Sequence, residues 1–197
     1  MAALFAQADF PWWIAGGLAI ELAVGRELRP HGDLDVLVLR RDQTRVRDLL
    51  ATWDLYVADP PGRGELRPWP REEVLQPPLH DIWCRRAPKA PWSVQLMLDE
   101  VEGAQWVSRR DPDIRLPIDL LGRMSERGIP YLAPEVQLFY KAKAPQEKDE
   151  TDFEAVLPLL TPLARTWLAD SIKTTAPNHP WLRQLLSRQA NVNSGTA

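Results

Sequence analysis

The chain has 197 residues, 45% of them hydrophobic and 26% charged, with a formal net charge of −3 and a pI of about 5.7. These are ordinary values for a globular protein with room for one domain, or a small domain carrying a helical appendage. They argue against a large electrostatic footprint for nucleic acid. The lone Cys84 rules out an intrachain disulfide and fits a reducing cytoplasm. No apolar run approaches the roughly 20 residues of a spanning helix, and no basic stretch precedes the first apolar residues, so no signal peptide is expected.

Ala2 to Ala8 is predicted as a short helix ending before Pro11, and Trp12 to Ala15 as a buried strand that stops at Gly16-Gly17. From Gly17 to Val24, the spacing of Leu18, Ala19, Leu22 and Ala23 suits one face of a helix, with Gly25 as its C-cap. A loop with Arg29, Pro30 and His31 leads to Asp33-Leu34-Asp35. The apolar run Leu34 to Leu39 that follows reads as a central strand. Asp42 is expected to cap a helix over Gln43 to Trp53. Leu55 to Ala58 is a short strand, and the proline-rich stretch Asp59 to Pro78 reads as a long irregular loop near the site. Leu79 to Arg85 and Trp92 to Leu98 are strands, Glu102-Gly103 a hairpin turn, and Gln105 to Ser108 the return strand.

The character of the chain changes after Pro117. Tyr131-Leu132 is a last extended piece, and Pro134 is placed to open a helix running to about Ala144. Helices are predicted over Lys148 to Leu157, Pro162 to Lys173 and Trp181 to Ser187, with a polar, disordered tail at 191–197. The expected fold class is α+β, a mixed sheet with flanking helices, divided as an α/β core over 1–116 and a helical subdomain over 117–190.

Two carboxylates at i and i+2 on a strand point to one face, and buried carboxylates that close repel each other unless a cation joins them. A hard, oxygen-seeking ion such as Mg²⁺ is the simplest partner for Asp33 and Asp35. A Gly-Gly turn entering a helix offers backbone N–H groups to phosphate. Together these features predict a metal–triphosphate site. His31 either lines that site or bonds within its loop. Trp69 either stacks on a ligand ring or packs in the core. Cys84, His80 and His179 read as structural.

Gly16-Gly17, a helix, and an Asp33-x-Asp35 flanked by apolar residues resemble the nucleotidyltransferase superfamily that includes DNA polymerase β. The stretch GGLAIELAVGRELRPHGDLDVLV is most similar to the small enzymes that adenylylate aminoglycosides and lincosamides. The superfamily often has Gly-Ser where this chain has Gly17-Leu18. The resemblance implies Asp33 and Asp35 as metal ligands, a Mg²⁺–NTP co-substrate (ATP foremost), and Gly16 and Gly17 against phosphate. It also implies a third carboxylate on a neighbouring strand. Gln95 stands near the expected position, Asp99 shares its strand face about 13 Å on, and Asp81 lies on the preceding strand. Asp99 is taken as the catalytic candidate. The segment from Pro134 to Phe153 resembles the Lys-bearing helix and the Lys-Asp-x-x-Asp helix of minimal nucleotidyltransferases. It implies that Lys141 reaches the triphosphate and that Asp149 and Asp152 orient it. The implied reaction moves a nucleoside monophosphate, AMP foremost, to an acceptor hydroxyl. For a cationic aminoglycoside, Glu65, Glu72, Glu73, Asp99 and Glu100 would form an acidic cleft. The alternatives are a toxin-like enzyme acting on tRNA or protein, and a non-catalytic nucleotide-binding protein on the same fold.

Overall fold

The structure, a computed structural model, describes residues 2–187, and the tail expected at 191–197 lies outside the described residues. Short elements lead in: α1 (Ala2–Phe5), β1 (Trp12–Ile14), α2 (Gly16–Val24) and β2 (Leu34–Leu39). After α3 (Gln43–Leu49) come β3 (Asp54–Ala58), β4 (Leu66–Pro68), β5 (Asp81–Arg85) and β6 (Val94–Glu102). The strands β7 (Gln105–Val107), β8 (Arg115–Pro117), β9 (Gly122–Met124) and β10 (Pro130–Leu132) complete the sheet, whose main path runs β4-β3-β5-β6-β2-β1-β10-β9. β7 and β8 extend it from the far end of β6.

β2 is central, antiparallel to β1 and parallel to β6. Its register with β6, β5 and β3 sorts the side chains into rows. Leu34–Val94–Cys84–Leu55 and Val36–Leu96–Ile82–Val57 face one way and are apolar. Seven of those eight are buried, with Leu34 half-buried. The intervening row, Asp35–Gln95–Trp83–Tyr56, faces the other way, and all four residues are half-buried. One face of the sheet is therefore core, and the other presents polar and aromatic groups to a cleft.

β9 falls in the subdomain expected to be helical from 117 onward, while β10 holds the extended piece expected at Tyr131-Leu132. Both are strands of the main sheet, β10 running parallel to β1 and antiparallel to β9. Three-residue strands give no periodicity to read, so the sheet continues to Leu132 and the helices begin later, at Pro134. The four C-terminal helices are α4 (Pro134–Lys141), α5 (Glu147–Val156), α6 (Pro162–Thr175) and α7 (Trp181–Ser187). Local chemistry sets their starts. Pro134 occupies the first turn of α4, a capping box joins Gln146 and Asp149 at α5, and Thr161 Oγ1 accepts from the Ala164 amide at 3.2 Å. Phe153 and Trp181 stack at 4.4 Å with an interplanar angle of 4°, fastening α7 to α5.

Two expectations are corrected in the first half. Asp42 does not cap α3. It ends a short 3₁₀ turn at φ −99° and ψ 8°, where its side chain does not turn back onto the first amides, and Oδ1 instead accepts from Arg45 Nη1 at 3.0 Å. The helix also stops at Leu49. The proline-rich stretch is not wholly irregular, because Leu66–Pro68 pairs with β3. The rest is tied down by buried polar groups. Gln43 exchanges two bonds with the Leu75 backbone, at 2.7 and 3.2 Å, and Arg40 Nη1 donates to the Leu79 carbonyl at 2.7 Å. Trp69 is 2% exposed and donates to the Glu73 carbonyl, so it packs as core. Among the described residues no helix is long and apolar enough to cross a membrane.

Candidate active site

Gly16 begins α2 at φ +66°, a conformation that favours glycine. A Cβ there would lie 1.9 Å from Asp35 Oδ2, so the absence of a side chain lets the helix start sit directly on the carboxylate. The β2 backbone holds the same junction, because the Ala15 amide donates to the Asp35 carbonyl at 2.8 Å. The first amides of a helix have no partner within it. That of Gly16 is taken by Gln137 Oε1 at 2.8 Å. The expectation of a phosphate contact at both glycines therefore narrows to Gly17 and the amides after it. A Cβ on Gly17 would meet Arg29 Nη2 at 2.4 Å and the His31 ring at 2.5 Å, so this glycine lies directly beneath those two side chains.

Arg29 is locked from the helical half. Asp152, on α5 and fully buried, accepts from Nη1 at 2.5 Å and Nη2 at 2.8 Å. Lys141 Nζ stands 2.6 Å from Asp149 Oδ1 and 2.9 Å from Asp152 Oδ2. Two cations and two carboxylates balance, yet each cation keeps further N–H groups to offer. The Asp152 bonds, opposed by partial burial, raise the Arg29 pKa. His31 bonds Glu21 Oε1 at 2.9 Å. Glu21 also accepts the Leu28 and Arg29 amides, and these bonds outweigh burial and lower its pKa. The loop ahead of the Asp pair is thus folded around Glu21. Beyond it lies a wider cleft of about 980 Å³, between the outer face of α2 and the β9–β10 turn.

Asp33 is exposed and Asp35 half-buried. Burial, and then the Asp33 charge, push the Asp35 carboxyl up from 3.8 to about 6, and Lys141 acts in the opposite direction. Such a group is short of positive charge. Among the described residues no three His, Cys, Asp or Glu side chains gather closely enough to hold a metal by themselves. Two neighbouring carboxylates of this kind suit a hard cation that completes its shell with phosphate oxygens and water.

On β6, Gln95 is the residue directly paired with Asp35. Asp81 belongs to the next row of the same face, opposite Met97, and its Oδ1 accepts from Gln95 Nε2 at 3.3 Å. Its Oδ2 lies 3.3 Å from His80 Nε2. Asp99 pairs with Leu39, four residues along the strand from Gln95. It is fully buried, bonded by Trp106 Nε1 at 2.6 Å and by the Tyr140 hydroxyl, with Arg109 Nε at 3.0 Å. Asp99 therefore has no access to the cleft, and its expected catalytic role is withdrawn. It ties β6 and β7 to α4. Burial, and then the Asp99 charge, push the Tyr140 pKa well up.

Of the five residues expected to form an acidic acceptor cleft, Glu65 and Glu72 are exposed and the other three are neutralised in place. Glu73 is paired with Arg67 at 2.6 Å, Glu100 with Arg40 at 2.5 Å, and Asp99 with Arg109. Lys148, the first residue of the Lys-Asp-x-x-Asp pattern, is exposed. The residues missed by sequence reading are Arg29 and Gln137. The i, i+4 spacing of Gln137 and Lys141 on one helix face was the available signal for the latter.

The family model described as aminoglycoside-2″-adenylyltransferase matches residues 1–59, the segment that carries Gly16, Gly17, Asp33 and Asp35. Among solved structures, the lincosamide antibiotic adenylyltransferase LnuA, with lincomycin bound, superposes with a TM-score of 0.55 at 14% identity, over 80% of this chain and 92% of that one. The protein has the nucleotidyltransferase fold. ANT(2″)-Ia in complex with adenylyl-2″-tobramycin gives a TM-score of 0.55 at 14% identity, over 88% of this chain and 94% of that one. The solution structure of ANT(2″)-Ia gives 0.55 at 15%, over 98% and 90%. No curated protein sequence matches the chain. The nucleotidyltransferase likeness thus spans nearly the whole chain in structure, and its first third in sequence.

Proposed function

We propose that the protein transfers a nucleoside monophosphate, AMP foremost, from a Mg²⁺–NTP to a hydroxyl of a small antibiotic-type acceptor. The observation that carries this reading is the junction at Gly16-Gly17, where the start of α2 sits on Asp35 and beneath the Arg29 guanidinium, which shares the buried Asp152 carboxylate with Lys141. Asp33 and Asp35 would hold Mg²⁺, which when bound neutralises triphosphate charge and favours departure of pyrophosphate. Arg29, Lys141 and the Gly17 amide bind the phosphates. The acceptor oxygen attacks the α-phosphorus, the bond to the bridging oxygen breaks, and pyrophosphate leaves. With Gln95 neutral, Asp81 is the carboxylate on this face that takes the acceptor proton, oriented by its bond from Gln95. A buried, unpaired Cys84, its pKa raised by burial, fits a cytoplasmic setting.

Isothermal titration of ATP, GTP, CTP and UTP, with and without Mg²⁺, tests the reading on the wild type, Asp33→Ala and Asp35→Ala. We expect Mg²⁺-dependent binding of at least one nucleotide that both substitutions abolish. Metal-independent binding that survives both would sink it. The neutral Gln95 opposite Asp35 favours one other reading, a nucleotide-binding protein without transfer. Pyrophosphate release in the presence of acceptor separates the two, and Asp81→Asn should cut it about 10²-fold or more with nucleotide affinity unchanged.

A further inference from the structure

The geometry points to an aromatic acceptor subsite beside Asp35, built by Trp83 and Trp92, that takes a single weakly charged sugar-type ring rather than a polycation. This inference rests on the nucleotidyl-transfer reading and names the acceptor chemistry of the same site.

A cleft of about 370 Å³ opens between the β3–β4 turn and the β5–β6 face, with Trp83, Trp92, Leu66, Asp81 and Gln95 among its walls. Its position follows from the strand register. Trp83 pairs with Gln95, and Gln95 with Asp35, so the indole lies two strands from the carboxylate, about 10 Å at ordinary strand spacing. Gln95 stands between Trp83 and Asp35 in that row, and Asp81 lies two residues from Trp83 on the same strand, in the next row of the same face. A ring lying on the tryptophans would thus present its edge hydroxyls toward Asp81 and the reacting phosphate.

The walls define what fits. Ring C–H faces of a saccharide pack well on an indole, whose broad apolar face also carries negative potential. Trp92 is fixed for this. It meets Tyr56 edge-on at 5.4 Å and 67°, and the Arg85 guanidinium covers one of its faces at 4.3 Å. Arg85 is itself paired with Asp54 at 2.6 Å. One indole face of Trp92 is therefore already occupied by a cation. Among the described residues Asp81 is the one carboxylate lining the cleft; of those expected to draw a polyamine, Glu73, Glu100 and Asp99 are each matched by an arginine, and Glu65 and Glu72 are exposed outside its lining. The volume is at the small end for a ligand site and holds one or two rings.

The test is titration of lincomycin, a sugar derivative with a single amine, and of tobramycin, a polyamine, into the full-length protein with Mg²⁺ and a non-hydrolysable ATP analogue. Wild type, Trp83→Ala, Trp83→Phe and Trp92→Ala are compared. We expect lincomycin to bind more tightly than tobramycin. Trp83→Ala and Trp92→Ala should each weaken lincomycin at least tenfold, and Trp83→Phe should restore most of the loss. Nucleotide binding measured on the same samples should be unchanged in all variants, which shows that they are folded. Tighter binding of tobramycin, lincomycin affinity indifferent to both alanine substitutions, or no binding of either probe to nucleotide-loaded protein would overturn the inference. Failure of the nucleotide itself to bind would instead remove the transferase reading, and the lincomycin titration then decides the subsite alone.

Discussion

Asp35 and Asp99 project from the same face of one sheet, four rows apart, in surroundings of opposite kind. Asp35 faces an open cleft with a second carboxylate beside it, and Lys141, the cation that acts on it most, is shared with Asp149 and Asp152. Asp99 is sealed by an indole, a phenol and a guanidinium. The first is left short of positive charge, as a ligand site must be before its ligand arrives. The second is neutralised, as a structural carboxylate must be to tolerate full burial. A carboxylate's position on a strand face therefore does not make it catalytic. What closes over it decides.

The contrast is broken most severely at Asp99. Asp99→Ala leaves Arg109 buried without its carboxylate, at a cost of about 3–5 kcal/mol, and should lower the melting temperature by roughly 10 °C or more for a chain of this size. At a temperature where the variant is still folded, Mg²⁺–nucleotide affinity should match the wild type. Thermal denaturation together with titration at low temperature checks both parts. A stable variant that no longer turns over would return Asp99 to the chemistry.

The sequence spoke clearly where chemistry is local. Gly16-Gly17 and Asp33-x-Asp35 lie within a single turn-helix-loop-strand unit, so the spacing alone brings them together. Lys141, Asp149 and Asp152 were legible because one short helix connection separates them. The third carboxylate was not, because its identity depends on the register of β2, β6 and β5, and a shift of two residues keeps the face while changing the neighbour. Nor does anything in the order of residues reveal that Tyr140, Trp106 and Arg109 close over Asp99, since they come from α4, β7 and the loop after it. The same holds for β9, which is recruited to the sheet by β10 and shows no pattern of its own.

Asp35→Asn sharpens the comparison from the other side. The folded carboxyl titrates near 6 against 3.8 for the free group. The wild type is therefore relatively stable while Asp35 is protonated, and loses stability as pH rises through about 6. The asparagine variant lacks that loss. Its advantage should be absent at pH 4 and below, and reach up to about 3 kcal/mol by pH 8, at about 1.4 kcal/mol per pH unit between the two values. Melting curves from pH 4 to 8 in a chelator would show the gap opening. Mg²⁺ with nucleotide should then raise the wild-type curve only. A gap independent of pH would mean that Asp35 is not held in the protonation state assigned to it.

A smaller effect is expected at Asp152, which is buried like Asp99 but serves the cleft. Its carboxylate holds both Arg29 and Lys141. Asp152→Asn keeps the shape and removes the charge, so both cations lose the group that aims them. Nucleotide affinity should fall about 10- to 100-fold, a cost of about 1.4–2.7 kcal/mol, and the loss should exceed that of Lys141→Ala alone. Equal losses would mean that Arg29 makes no contact with the triphosphate.

The mildest change reverses the chemistry of one position. Gln95→Asp places a third carboxylate opposite Asp35 and removes the amide that orients Asp81. Without metal the new charge adds to that of Asp33, so the pH above which Mg²⁺ binds should rise. Once bound, the ion gains an oxygen ligand, and its affinity at pH 8 should increase several-fold. Turnover tests which carboxylate takes the proton. If Asp81 does, losing its orienting amide should leave turnover no better than wild type despite the tighter metal. A rate rising in step with metal affinity would transfer the role to the position beside Asp35, and would show that Gln95 there restrains the enzyme.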